Sequence, residues 1–109
     1  MLDTTKIKEE IDTTEFLKTI KRYCKENIEC TEHTFFRLSK RQKEILTCDR
    51  LREILIREKP FLVGIQNNEN YAVFYNHEGK ILKTILSILN SKIRVVTFYF
   101  IKKWQIPKI

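Results

Sequence analysis

The chain has 109 residues, 42% of them hydrophobic, with only two Gly and two Pro. That size suits one domain, and that composition excludes wholesale disorder, a low-complexity chain and a transmembrane helix. Lys and Arg total 21 against 14 acids, a net charge of +7, which favours encounter with polyanions and makes such encounters salt-dependent.

Residues 1–11 read as a polar lead-in. The opening MLDTTKIKEEIDTTEF mixes acids and bases and has no apolar h-region, so a secretory signal is not expected and the cytoplasm is the default address. Asp12 followed by Glu15 fits a capping box at the start of a helix. Phe16, Leu17, Ile20, Tyr23 and Cys24 then form one apolar stripe, and the helix is expected to run to about Asn27. Ile28–Cys30 is expected to be extended. Thr31 can cap a second helix from Glu32 to about Leu46, and Thr47 or Asp49 a third, with Leu51, Ile54 and Leu55 inward. Pro60 stops it.

After Pro60 the period changes. Phe61–Gln66 is a short apolar run, Tyr71–Tyr75 is aromatic and β-branched, and Ile93–Ile101 is the strongest strand signal. Ile81–Leu89 is apolar and open to either strand or helix. The polar gaps at 67–70, 77–80 and 90–91 suggest an antiparallel meander. The expected fold is therefore α+β in a single domain, residues 1–109: a helical half over 12–58 packs on one face of a strand-rich half over 61–101, an antiparallel sheet of three to four strands. In the last strand, alternation places Val96, Phe98 and Phe100 towards the core and leaves Tyr99 nearer solvent or a cleft.

Cys24, Cys30 and Cys48 are an odd number at wide spacing, which resembles neither a disulfide framework nor a metal-binding pair. Free thiols in a reducing compartment are expected. Cys30 with His33 as a catalytic pair is disfavoured, because activation needs spatial contact that closeness in sequence does not supply. No Walker loop, GxGxxG, HExxH or acidic metal cluster is visible, so neither a metal nor a cofactor is expected. A helix-turn-helix over 32–58 is disfavoured, because its Gly-containing turn is missing.

The informative constellation is His33-x-x-x-Arg37-x-x-x-Arg41. On a helix this spacing puts all three side chains on one face. An imidazole exchanges a proton near neutral pH, and guanidinium forks suit phosphate oxygens. Those are the requirements of metal-independent RNA cleavage by the 2′-hydroxyl. The bland alternative is an ordinary solvated helix face. His77 lies in an expected turn and should be exposed. Lys102, Lys103 and Trp104 pair charge with an aromatic and can clamp RNA, with Lys40 adding charge; a tail packed on the body is the alternative.

Thr31, His33, Arg37 and Arg41, together with the closing Val96-Thr97-x-Tyr99, resemble small toxins of toxin–antitoxin systems, the RelE-like and BrnT-like ribonucleases. The resemblance covers about residues 28–102. It implies a RelE-like fold and a metal-independent endoribonuclease, a hydrolase acting on RNA and neutralised by an acidic antitoxin. It further implies His33, Arg37, Arg41 and Tyr99 as catalytic residues. Two other readings stand beside it. One is a non-catalytic module binding nucleic acid or protein, either a degenerate toxin or a viral accessory factor. The other is a structural homo-oligomer, such as a homodimer joined through apolar strand edges. No membrane partner is expected.

Overall fold

The computed structural model describes residues 6–35 and 38–107, leaving aside the side chains of Glu32 and His33. Six strands and three α-helices follow in the order β1 (Ile7–Ile11), α1 (Thr13–Lys21), β2 (Ile28–Cys30), α2 (Lys40–Ile45), α3 (Cys48–Arg57), β3 (Leu62–Gln66), β4 (Tyr71–His77), β5 (Lys80–Ile88) and β6 (Ile93–Ile101). Short 3-10 turns occupy Lys25–Asn27, Glu32–Phe35 and Lys103–Gln105. Among the described residues no helix is long and apolar enough to cross a membrane.

The strands form one sheet in the order β1-β3-β4-β5-β6-β2. Strands β3 to β6 are an antiparallel meander, β1 adds antiparallel to β3, and β2 adds parallel to β6. The expected antiparallel sheet of three or four strands beneath a helical half is therefore corrected to a six-stranded mixed sheet with three short helices among the described residues. The N-terminal half supplies both edge strands. Strand β1 escaped the sequence reading because its centre, Lys8-Glu9-Glu10, is charged and exposed. Charged residues are what an edge strand carries to discourage further pairing.

The second expected helix is also corrected. Its first part is the 3-10 turn Glu32–Phe35, and α2 starts afresh at Lys40. Ser39 caps it: its hydroxyl accepts from the Gln42 N–H, and the Gln42 side chain accepts from the Ser39 N–H. Helix α1 stops at Lys21 rather than near Asn27. Its Asp12 cap is as expected, with the carboxylate accepting from the Glu15 N–H at 3.0 Å.

Helices α1 and α3 cover one face of the sheet. Phe16 and Ile20 from α1, and Leu51, Ile54 and Leu55 from α3, are buried against Val63, Val73, Tyr75, Leu82, Leu86, Val95 and Phe98. Burying a side chain of this size contributes about 1.5–3 kcal/mol, and these contacts hold the two layers together. On the opposite face a smaller cluster of Ala72, Phe74 and Ile85 is joined by Ile7, Leu62, Val96 and Ile101. Gly64 lies under Ile7: a Cβ there would stand 2.5 Å from the Ile7 Cγ2.

Strand β6 carries one extra residue. Leu86 pairs with Val95 while Ile85 pairs with Thr97, so Val96 is bulged. Val95 and Phe98 thus share the helix face with the partly buried Phe100, and Val96 moves to the other face. Strict alternation had placed Val96 in the main core.

The cysteines are corrected as well. Cys30, at the end of β2, is joined to Cys48, the first residue of α3, and Cys24 alone is free. Residue spacing did not disclose this pair, because the fold sets it: β2 lies beside β6 on the face that α3 covers.

Candidate nucleic-acid interface

The β4–β5 hairpin builds the site. Its two-residue turn is Glu78-Gly79, with φ of 51° and 77°. Positive φ at both positions is the twist that two-residue hairpins need, and glycine takes it without strain. The turn sets His77 opposite Lys80. Val73, Tyr75 and His77 alternate onto the helix face, so His77 is carried inward at the end of α3 and is only 7% exposed. Turn histidines are normally exposed. Here β4 runs two residues further than expected, which keeps His77 in the inward phase of Val73 and Tyr75.

Charges surround this imidazole. Its Nδ1 lies 3.3 Å from Glu58, the residue that ends α3, and its Nε2 lies 3.9 Å from Glu78. Arg50 of α3 stands 3.8 Å from Glu78 and 3.6 Å from Glu53, which in turn faces Lys25 at 3.8 Å. Pairs this exposed contribute little stability each, but they leave the cationic Arg50 already balanced. Two residues back on the same face of β4, the Tyr75 hydroxyl is buried with no hydrogen-bond partner among the described residues. Burial, and secondarily the Glu58 charge, hold that phenol well above the usual tyrosine range.

Above His77 opens a pocket of about 360 Å³. Ile45, Leu46 and Phe100 give it apolar walls, and Gln42, Arg50, Glu78 and Lys80 give it polar ones. It adjoins a wider, more open groove of about 870 Å³ lined by Lys80, Lys102 and Lys103 with Phe61, Asn76 and Ile106. Gln42, Lys80 and Phe100 line both and join them. Trp104, in the 3-10 turn after β6, is 79% exposed beside this groove's lysines in sequence.

Of the residues expected to bind nucleic acid, Lys102 and Lys103 thus line a groove, Trp104 adjoins them, and Lys40 is an exposed first residue of α2. Of the expected catalytic residues, His33 and Arg41 do not lie on one helix. His33 belongs to the 3-10 turn, Arg41 is exposed on α2, and Arg37 lies outside the described residues. The turn packs on the helix side of the sheet, where Phe35 meets Phe98 edge to face with ring centroids 5.5 Å apart. Tyr99 sits on the opposite face, its ring 5.6 Å from the Lys83 ammonium. The sheet therefore separates the turn that bears His33 from Tyr99.

A mixed sheet covered by helices on one face, with lysines lining a groove, defines a small α+β protein. Residues 14–86 match the MJ0788 family, well over half of the chain, and the chain belongs to that family. No curated protein and no solved structure matches it. The matched stretch runs from α1 to β5 and holds Gln42, Arg50, His77 and Lys80, while Phe100, Lys102 and Lys103 lie beyond it.

Proposed function

We propose that the protein is a binding module for single-stranded RNA. The observation that carries this reading is the groove itself: Lys80, Lys102 and Lys103 line it with Phe100, and among the described residues no acidic side chain shares the lining. Lysines along a groove suit a phosphate backbone. Aromatics beside them, with Trp104 the most exposed, suit bases whose faces are free, which is the condition of a single strand. An RNA ligand makes the cytoplasm the proposed compartment.

The test is fluorescence anisotropy of a labelled uridylate decamer across a salt series. The dissociation constant should rise steeply between ~50 and ~200 mM salt, and the double change Lys102→Glu, Lys103→Glu should weaken binding at least about tenfold and flatten the salt slope. Trp104→Ala should weaken binding with the salt slope unchanged, since stacking contributes ~1–3 kcal/mol per base without releasing counterions. A folded wild type that binds no RNA at low salt would end this reading. Recovery of intact RNA after incubation in EDTA separates binding from the metal-independent cleavage that the toxin resemblance implies.

A further inference from the structure

We infer that the pocket over His77 receives one unstacked base of the bound strand, while the neighbouring groove holds the phosphates. This rests on the RNA reading above and deepens it. The pocket's volume, about 360 Å³, falls at the small end of ligand sites, which run from ~300 to ~1,000 Å³. It suits a single base and little more.

Charge decides between a base and a phosphate. Among the described residues the groove presents three lysines and no carboxylate. The pocket presents Arg50 and Lys80, but Glu78 lines it too, and Arg50 is already paired with Glu53 and Glu78 at 3.6 and 3.8 Å. Glu58 stands against the far side of the imidazole, 3.3 Å away. A phosphate entering here would meet the Glu78 carboxylate and, in Arg50, a cation already paired, which leaves Lys80 alone to hold it. A base edge, which offers donors and acceptors side by side, meets both kinds of partner in Gln42, Arg50 and Glu78.

The shape agrees. Phe100 gives the pocket an aromatic wall, and Ile45, 64% exposed, stands at its rim as an apolar surface without another described use. His77 is buried and lines the same pocket. Because Gln42, Lys80 and Phe100 are common walls, a strand resting on Lys102 and Lys103 can turn one base across Lys80 and into the pocket without leaving the groove. The cost is unstacking that base, and a single strand has already met most of it.

The experiment follows His77 directly. The chain has two histidines, so protein carrying ring-labelled histidine gives two imidazole signals, and His33→Ala assigns them. Uniform decamers of adenylate, cytidylate and uridylate are compared with a decamer of abasic ribose phosphate, by anisotropy and by the His77 signal. All four should bind with the same salt slope. At least one base-bearing decamer should shift the His77 signal, and the abasic decamer should leave it in place. Ile45→Ala should reduce the affinity of that decamer about threefold or more and leave the abasic decamer unchanged. The Lys102→Glu, Lys103→Glu protein should lose both kinds of strand alike. Binding in which no decamer moves the His77 signal, or in which the abasic strand moves it equally, overturns the inference and leaves the groove standing. If none of the four binds, the RNA reading fails and the base pocket fails with it.

Discussion

The Thr34 hydroxyl donates to the Val95 carbonyl across 2.7 Å and accepts from the Thr31 N–H at 2.8 Å. The side chain is fully buried, and it serves one backbone group inside the core, the Val95 carbonyl, and one in a part-buried position, the Thr31 N–H. Through it the turn Glu32–Phe35 is fastened to β6 next to the bulged Val96. Thr34→Val keeps the shape and removes both bonds, and should cost ~1–3 kcal/mol because the buried Val95 carbonyl is left without this partner and the part-buried Thr31 N–H loses its own. Thr34→Ser keeps the hydroxyl and should cost less. Urea unfolding of both variants checks this. A Thr34→Val protein within ~0.5 kcal/mol of wild type would show that the turn is held by the Phe35–Phe98 contact instead.

What the sequence made legible was local. The Asp12 and Thr47 caps, the inward stripes of α1 and α3, the strands β4 and β6 and the hairpin turn at Glu78-Gly79 all follow from residue type and period. What it hid was non-local. Ile7-Lys8-Glu9-Glu10-Ile11 becomes a strand only because β3, more than fifty positions away, offers it an edge. The Cys30–Cys48 pair, like the inward position of His77, depends on where α3 comes to rest. Lys102 and Lys103 were legible as charge beside an aromatic, but their meeting with Lys80 across the hairpin was not.

The Tyr75 phenol gives a pH dependence with a definite sign. Burial raises its folded pKa above the ordinary value of 10.0. Above that value the unfolded chain loses the proton and the folded chain keeps it, so the unfolded state binds fewer protons and stability falls as pH rises. The loss should begin near the unfolded pKa and be absent below it. Tyr75→Phe removes this slope. It also removes a buried hydroxyl without a partner among the described residues, so it should be neutral or stabilise by up to about 1–2 kcal/mol at neutral pH. Urea melts of wild type and variant from neutrality to alkaline pH read both effects. A variant clearly less stable at neutral pH would mean that the hydroxyl has a partner after all.

Gly64 and Ile7 should behave as one unit. A methyl at Gly64 would come within 2.5 Å of the Ile7 Cγ2. Gly64→Ala therefore forces that side chain aside and should destabilise by ~1–3 kcal/mol, the usual cost of overpacking. Ile7→Ala alone should also destabilise, by the loss of a partly buried apolar contact on β1. Combined, the two changes should cost less than their sum, because the shortened side chain leaves room for the methyl. A double-mutant cycle in urea measures this. Strict additivity would place the strain in the backbone of β3 instead of the Ile7 side chain.

The Cys30–Cys48 bond closes a loop of 18 residues that contains α2 and the turn Glu32–Phe35. Restricting a loop of that length in the unfolded chain is worth about 3 kcal/mol in the chain-entropy model. For a domain of this size that corresponds to roughly 10–20 °C in melting temperature. Thermal melts with and without dithiothreitol should differ by such an amount in a Cys24→Ser background, which removes the exposed free thiol and its exchange reactions. A protein with Cys30→Ala and Cys48→Ala should melt like the reduced form whether or not reductant is present. Gln42, Ile45 and Leu46 all lie inside the closed loop and line the base pocket. Reduction should therefore also weaken the response of His77 to base-bearing RNA while the abasic strand, held by Lys80, Lys102 and Lys103, keeps its affinity. Equal melting in both redox states would mean that packing of Leu38 and Leu46 into the core already fixes the loop.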